Sequence, residues 1–508
     1  MRAQAELTRP DNAWPPAGAR YRRAHLIAAA AFIIALAAYI ADVLGHPLHD
    51  MLAWFDLGVY RDAGLLARHS PTSLYSWKLI PGVRFTYTPF AAVLFAGASM
   101  LPWGVLTWLM TVISLAVVPA GAWLTFGALG WTGRNRAAAV LGLSAVVLWS
   151  EPVQRALHLG QIELMLMLLI IWDLCQSDRR WWKGAGIGLA AGIKLVPLIF
   201  IPYLILTGKL RQAAAAAITF AATIVIGFVF LPQASATWWL TGYFLHARKV
   251  GAVGALVNQS LLGFLTRAMG TLPAATPVWI GVSVVVGVLG LGAAALLHRA
   301  GRPVHGWAAC ALTGLLISPV SWDHHWVWIL AILAILADLA VRARGRARWG
   351  YWSFAGILAV LFGGWPDHWA GPKAFVVAKG FLVALVTPGH DGFSFAGHSR
   401  PPGRHPRPAR HQHLPGAGLG QRGPSAHGAY PLGHYRHASR PGVIYDLHGF
   451  QVITWNLYVL AGLILFGLML AAAWRVRRES GLIGIVARSP LRRWLRSREL
   501  AETGQAEP

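Results

Sequence analysis

Apolar residues in this chain come in long blocks, which is unlike the alternating or one-sided patterns of water-soluble strands and helices. The blocks lie near 25–44, 88–102, 104–127, 136–150, 159–176, 184–207, 212–231, 277–298, 304–320, 323–341, 350–365, 373–388 and 451–474, with short polar stretches between them. A helix needs roughly 20 apolar residues to cross a hydrocarbon core of about 30 Å, so the pattern predicts an all-α chain with about twelve spans, between eleven and thirteen. The blocks at 88–102, 136–150 and 350–365 fall short of that length. They are expected to be tilted, broken or supported by neighbouring helices.

Two segments break the block pattern. Residues 45–87 carry Asp50, Asp56 and Asp62, with apolar Leu52, Phe55, Val59 and Ala63 at spacings of three and four. That periodicity predicts an amphipathic helix lying on the membrane surface. Residues 389–446 are crowded with Pro, Gly, Arg and His and have no apolar period, a composition that cannot bury a core. Histidines such as His405, His411 and His413 invite a metal reading, but irregular spacing and scarce acidic partners speak against it. The abrupt change of composition between Val386 and Val443 is also what out-of-frame translation of a G+C-rich gene would produce. The expected organisation is a basic tail at 1–24 and a membrane domain at 25–388 that includes the 45–87 loop. The low-complexity loop 389–446, a last span at 447–476 and a second basic tail at 477–508 follow.

Composition agrees with a lipid environment. The chain of 508 residues is 56% hydrophobic and only 12% charged, about half the usual charged share, and its mean hydropathy is +0.51. A net charge of +25 would point to nucleic acid in a soluble chain. Here the basic residues sit in the tails and in clusters between apolar blocks, which is a membrane-orientation signal, and no nucleic-acid partner is expected. Arg2, Arg9, Arg20, Arg22 and Arg23 face only Glu6 and Asp11, so the N-terminus is expected inside the cell and the 45–87 loop outside. The block 184–207 lies between the clusters Arg179/Arg180/Lys183 and Lys209/Arg211. Both clusters should be inside, so either this block is a hairpin broken near Lys194 and Pro197 or one cluster breaks the rule. The two cysteines, Cys175 and Cys310, support neither a disulfide framework nor a cysteine zinc site.

Ionisable groups next to lipid are costly, so the polar residues that survive there are the candidates for chemistry. Asp56 and Tyr60 are four apart and share a helix face, making Asp56 a candidate general base against an ordinary polar-face reading. Phe85-Thr-Tyr-Thr-Pro-Phe90 reads as a helix start, with Pro89 in the first turn and Tyr87 in an aromatic belt. Glu163 and Lys194 lie within apolar runs and need partners or water, which favours a substrate cavity over a purely structural ion pair. Ser318-Pro-Val-Ser-Trp-Asp-His-His-Trp326 is a polar wedge between two blocks, read as a loop that presents imidazoles and tryptophans to an anionic ligand. Its adjacent histidines do not form the i, i+4 pair of a helical zinc site. There is no Walker A sequence and no D-x-D pair, and Gly186-x-Gly188-x-x-Ala191 reads as small-residue helix packing. Neither a cofactor nor a metal is expected.

Phe55-Asp-Leu-Gly-Val-Tyr60, Leu74-Tyr75, Phe85-Thr-Tyr-Thr-Pro-Phe90, Gly160-Gln161, Ile193-Lys-Leu-Val-Pro197, Asn258-Gln-Ser260 and Ser318 to Trp326 follow one another in the chain. In that order they resemble glycosyltransferase family 87, over about residues 25–345. The resemblance implies a GT-C-like fold in the plasma membrane with its active site on the outer, periplasmic face. It also implies an inverting α-1,2-mannosyltransferase that uses polyprenyl-phosphate mannose and a glycolipid or lipoglycan acceptor. By the same resemblance Asp56 is the catalytic base. Lys194, His324 and His325 are candidates for the phosphate side, while Tyr60, Tyr87, Gln161 and Trp322 would line the substrate path. Glu163 stands where many relatives carry Asn, and Thr88 where a second Pro is common. The rival readings are a secondary transporter, which should have two similar halves where no repeat is visible, and a membrane scaffold without catalysis.

Overall fold

The computed structural model describes residues 19–45, 54–76, 84–245, 253–363 and 456–479. Residues 1–18 of the predicted tail 1–24, Asp50 and Leu52, the block 373–388, the segment 389–446 and residues 480–508 of the predicted tail 477–508 lie outside the described residues. In chain order the helices are α1 (Ala19–Gly45), α2 (Phe55–His69), α3 (Pro89–Ala98), α4 (Trp103–Ala128), α5 (Gly133–Leu148) and α6 (Glu151–Leu159). Next come α7 (Glu163–Leu174), α8 (Ala185–Ile193), α9 (Phe200–Leu206), α10 (Leu210–Phe230), α11 (Pro232–Ser235) and α12 (Leu261–Ala268). The series ends with α13 (Leu272–Arg299), α14 (Pro303–Ile317), α15 (Ile329–Arg342), α16 (Gly345–Leu361) and α17 (Leu457–Glu479). No strand occurs among the described residues, and one apolar core runs from Tyr39 on α1 to Ala473 on α17.

Six helices among the described residues are long and apolar enough to cross a membrane, or seven if the bent pair α6 and α7 is one span. Their outward faces carry exposed large apolar residues such as Ile218, Val225, Val229, Val284 and Val288. In water such faces would be a liability, and in lipid they are the solvent-facing surface.

Several blocks depart from simple spans. The block 88–102 becomes the ten-residue α3, which rises about 15 Å and reaches only halfway through a bilayer core. Thr88 starts it by accepting from the Ala91 amide at 3.2 Å, with Pro89 in the first turn as expected. The block 159–176 begins with a bend of 117° between α6 and α7, where Gly160 ends α6 in the left-handed region at φ 67°. The block 323–341 opens with a 3-10 turn, Asp323–Trp328, before α15. The predicted histidine loop is therefore a tight helical turn. α2 is the amphipathic helix that the 45–87 pattern predicted, but protein covers its apolar face. Val59, Tyr60 and Ala63 are buried, and a Cβ on Gly64 would run into the Phe95 backbone of α3.

The block 184–207 is broken. α8 stops where Lys194 adopts an extended backbone, φ −140° and ψ 132°, and a 3-10 turn Val196–Ile199 leads into α9. Asp178 receives Lys183 Nζ at 2.7 Å and Lys209 Nζ at 2.5 Å, and Arg211 donates to its carbonyl oxygen. Hydrogen bonds from these two lysines hold the Asp178 carboxyl well below the usual carboxylate range. Both basic clusters thus meet on one side, and the segment between them enters the bundle and returns. The break near Lys194 and Pro197 has the form of the expected hairpin.

The small residues of α8 let it lie directly on α10. A Cβ at Gly188 would sit 2.8 Å from Thr219 Cβ and against the Ala216 carbonyl, so that stretch packs helices and makes no cofactor turn. Gly188→Val is expected to cost roughly 1–3 kcal/mol through overpacking. A detergent-solubilised variant with an unchanged thermal midpoint would contradict that packing role.

Candidate active site

The site forms where α2, the start of α3, the α6–α7 bend, the α8 terminus and the 3-10 turn at 323–328 converge. Trp54 precedes α2 with φ 44°, a rare value for a residue with a side chain, and its amide donates to the His158 carbonyl at 3.1 Å. Gly160 makes the matching approach, since a Cβ there would lie 2.7 Å from Leu57 Cβ. Together they press the first turn of α2 onto the bend that carries Gln161.

Gln161 is the hub of the first cluster. Its Nε2 donates to Asp56 Oδ2 at 2.6 Å, and its Oε1 accepts from Tyr60 at 2.7 Å and from Tyr87 at 3.3 Å. The hydroxyls of Tyr60 and Tyr87 also lie 2.7 Å apart. A carboxylate only accepts and these phenols donate to the carbonyl, so the orientation of the Gln161 amide is fixed by its partners. Burial pushes both phenols well above their ordinary pKa, so they remain donors. Asp56 and Tyr60 share a helix face as their spacing predicted, and both point to the same glutamine.

Lys194 forms the second cluster. Its ammonium pairs with Glu163, lies 2.9 Å from His325 Nε2 and sits 5.3 Å from the centre of the Tyr87 ring. His325 Nε2 is also 3.2 Å from Glu163. The extended break after α8 allows Lys194 to turn inward, and the ring face supplies a cation–π contact that joins the two clusters. Glu163 and Lys194, the intramembrane charges that required partners, are each other's partner.

The third cluster holds His324 by its backbone and its ring, with the amide 2.7 Å and Nδ1 3.1 Å from Asp323 Oδ1. Arg155 Nε lies 3.4 Å from the other carboxylate oxygen of Asp323. The rings of His324 and His325 are nearly perpendicular, at 84°, so one turns to Asp323 and the other to Glu163. His324 Nε2 is buried with no hydrogen-bond partner among the described residues, which leaves that atom for a ligand. Trp322 is present through its backbone, bridged to Asn258. Its indole makes no hydrogen bond or ring contact to these clusters among the described residues.

Burial of its carboxyl group raises the Asp56 pKa above the ordinary value; the charge of His324, the Gln161 hydrogen bond, and the charges of Lys194 and Arg155 pull against this. Glu163, His324 and His325 offer ligand atoms within 4.8 Å of one another, the spacing of a small cation site. The Lys194 ammonium already touches two of the three. The chain's own lysine thus occupies the place between these ligand atoms.

Of the predicted site residues, Asp56, Tyr60, Tyr87, Gln161, Lys194, His324 and His325 come together, while Trp322 contributes backbone. Arg155 was not foreseen, because one basic residue in a short amphipathic helix has no sequence signal beyond its position one turn from Glu151. The pairing of Glu163 with Lys194 was legible as the alternative to a substrate cavity, since two buried charges need partners.

The family model of glycosyltransferase family 87 matches residues 85–319. The chain is 30% identical over 341 residues, 65% of its own length and 78% of the relative's, to a polyprenol-phosphate-mannose-dependent alpha-(1-2)-phosphatidylinositol pentamannoside mannosyltransferase of Mycobacterium tuberculosis (strain CDC 1551 / Oshkosh). It is 32% identical over 306 residues, covering 58% of this chain and 70% of the relative, to a polyprenol-phosphate-mannose-dependent alpha-(1-2)-phosphatidylinositol mannoside mannosyltransferase of the H37Rv strain. A pentamannoside mannosyltransferase of Mycolicibacterium smegmatis is 29% identical over 343 residues, 65% of this chain and 82% of the relative. No solved structure matches the chain.

Proposed function

The chain belongs to glycosyltransferase family 87, and from that premise we propose that it moves mannose from polyprenyl-phosphate mannose to a phosphatidylinositol mannoside in an α-1,2 linkage, with Asp56 as the base. One observation carries the choice of base. In the cluster, Glu163 is held by Lys194 and His325, and Asp323 by Arg155 and His324. Asp56, by contrast, is hydrogen-bonded by a neutral amide. A carboxylate held by a neutral partner keeps its basicity, whereas one locked in an ion pair is already neutralised.

In this reaction the acceptor hydroxyl oxygen attacks C1 of mannose, its proton passes to Asp56, and the bond from C1 to the phosphate oxygen breaks. The departing polyprenyl phosphate gains a negative charge. Lys194 and the free Nε2 of His324 are the groups that would meet it. A single base and, among the described residues of the cluster, no second carboxylate outside an ion pair favour one displacement, so a β-linked donor yields an α-linked product.

The placement of charge supports an outer-face site. Lys209 and Arg211 begin α10 beside Asp178, whereas Gly227 lies about 25 Å further along that helix and meets Pro89 at the start of α3. With the basic end inside, α2 and Asp56 lie toward the outer leaflet of the plasma membrane, and the fold is GT-C-like.

The experiment that tests this reading is transfer of radiolabelled mannose from polyprenyl-phosphate mannose to phosphatidylinositol mannosides of graded length by membranes containing the chain. No labelled glycolipid with any acceptor, together with uptake of a solute, would replace it with the transporter reading. The pH profile is a second test. Asp56 must be ionised to accept a proton, so activity is present above its folded pKa and lost as pH falls through it. Because burial raises that pKa, the acidic limb of kcat/KM is expected above the ordinary aspartate value of about 3.9. An acidic limb at or below that value would contradict the assignment.

A further inference from the structure

The last helix begins inside the site's scaffold. Gln259 Oε1 accepts from the amides of Tyr458 at 3.2 Å and Val459 at 3.4 Å, satisfying first-turn donors that a helix leaves open. Arg267 Nε donates to Asn456 Oδ1 at 3.0 Å, and its Nη1 donates to the Ala255 and Asn258 carbonyls at 2.7 and 3.0 Å. The same short segment runs beside the histidine turn. The Gln259 amide donates to the Ser321 carbonyl at 2.8 Å, the Ser321 amide to Asn258 Oδ1 at 2.9 Å, and the Asp323 amide to the Val257 carbonyl at 2.9 Å. The Asn258-Gln-Ser260 motif is therefore the joint between α17 and the turn that carries Asp323 and His324.

Tyr458 closes the other side of this ring of contacts. Its side chain stacks on Phe362 with centres 4.2 Å apart and lies 5.9 Å from Trp326, and its hydroxyl donates to the Glu151 carboxylate. Glu151 and Arg155 are one turn apart on α6, and Arg155 reaches Asp323. We propose that Tyr458 is a positioning residue for sugar transfer: its hydroxyl fixes Glu151 and the helix carrying Arg155, and Arg155 fixes Asp323 and the His324 ring. This rests on the reading of Asp56 and His324 as parts of the active site.

Tyr458→Phe keeps the stacked ring and removes the hydroxyl. In the full-length chain in membranes, kcat is expected to fall roughly tenfold while the donor KM stays within about twofold, because the contact orients the site without touching donor. Glu151→Leu removes the other half of the same hydrogen bond. The double variant is expected to be no slower than the slower single variant. Wild-type kcat in Tyr458→Phe, or losses that multiply in the double variant, would overturn the proposal. Should Tyr458→Phe not accumulate as folded protein, Glu151→Leu is expected to show the same loss of kcat, and normal turnover there would overturn it equally. The two readings fail separately. Normal turnover in Asp56→Asn removes the site assignment, whereas an inactive Asp56→Asn beside a fully active Tyr458→Phe removes only the positioning role.

Discussion

Asp56→Asn is expected to lower turnover by roughly a hundredfold or more while donor binding persists. Asparagine is nearly isosteric and can turn its amide oxygen toward Gln161 Nε2, so the contact at 2.6 Å has a counterpart in the variant. It cannot take the proton of the acceptor hydroxyl. The Tyr60 and Tyr87 hydrogen bonds to Gln161 do not depend on the charge of Asp56, so the cluster should keep its geometry. Kinetics on purified enzyme, with binding of a non-transferable donor analogue measured in parallel, separate the two effects. Near-normal turnover, or a product that retains the donor's β configuration, would remove Asp56 as the base.

Lys194→Met is the second large effect. It preserves much of the side-chain volume and removes the group proposed to meet the phosphate, so the donor KM is expected to rise roughly 10- to 100-fold, the worth of one charged hydrogen bond. The substitution also strands Glu163, whose buried carboxylate then lacks its ammonium partner. Breaking a buried pair costs about 3–5 kcal/mol. Lys194→Met alone is therefore expected to lower the amount of folded protein, and Lys194→Met with Glu163→Gln to restore it. Restored folding with donor affinity still weak supports the phosphate role. Restored folding with a wild-type donor KM reduces Lys194 to a structural ion pair.

The sequence alone determined the solvent and the kind of structure. Long apolar blocks with few charges have no stable place in water, and in lipid a chain must satisfy its own backbone hydrogen bonds, so a helical membrane protein follows from composition and block length. It also pointed to polar residues that the structure brings together, because a charge kept among apolar residues is costly. Asp56, Lys194, Glu163 and the two histidines stand out on that ground. The spacing of Asp56 and Tyr60 was legible for the same reason as the α2 helix, since both follow from a local period of 3.6 residues.

The tertiary structure decided what local pattern cannot encode. Block length cannot separate a span from a helix that stops halfway, and only contacts with α2 reveal α3 as a short support. The two basic clusters around 184–207 gave opposite topologies until Lys183 and Lys209 were seen on one carboxylate, Asp178. Gln161 binds Asp56 across 105 positions of sequence, and Tyr458 reaches Glu151 across 307. Nothing in the neighbourhood of either residue along the chain specifies the other. Such pairings depend on how the helices pack, and packing is set by the fit of distant surfaces, including the missing side chains of Gly160, which admits Leu57 and Trp54, and of Gly188, which admits the Ala216 backbone.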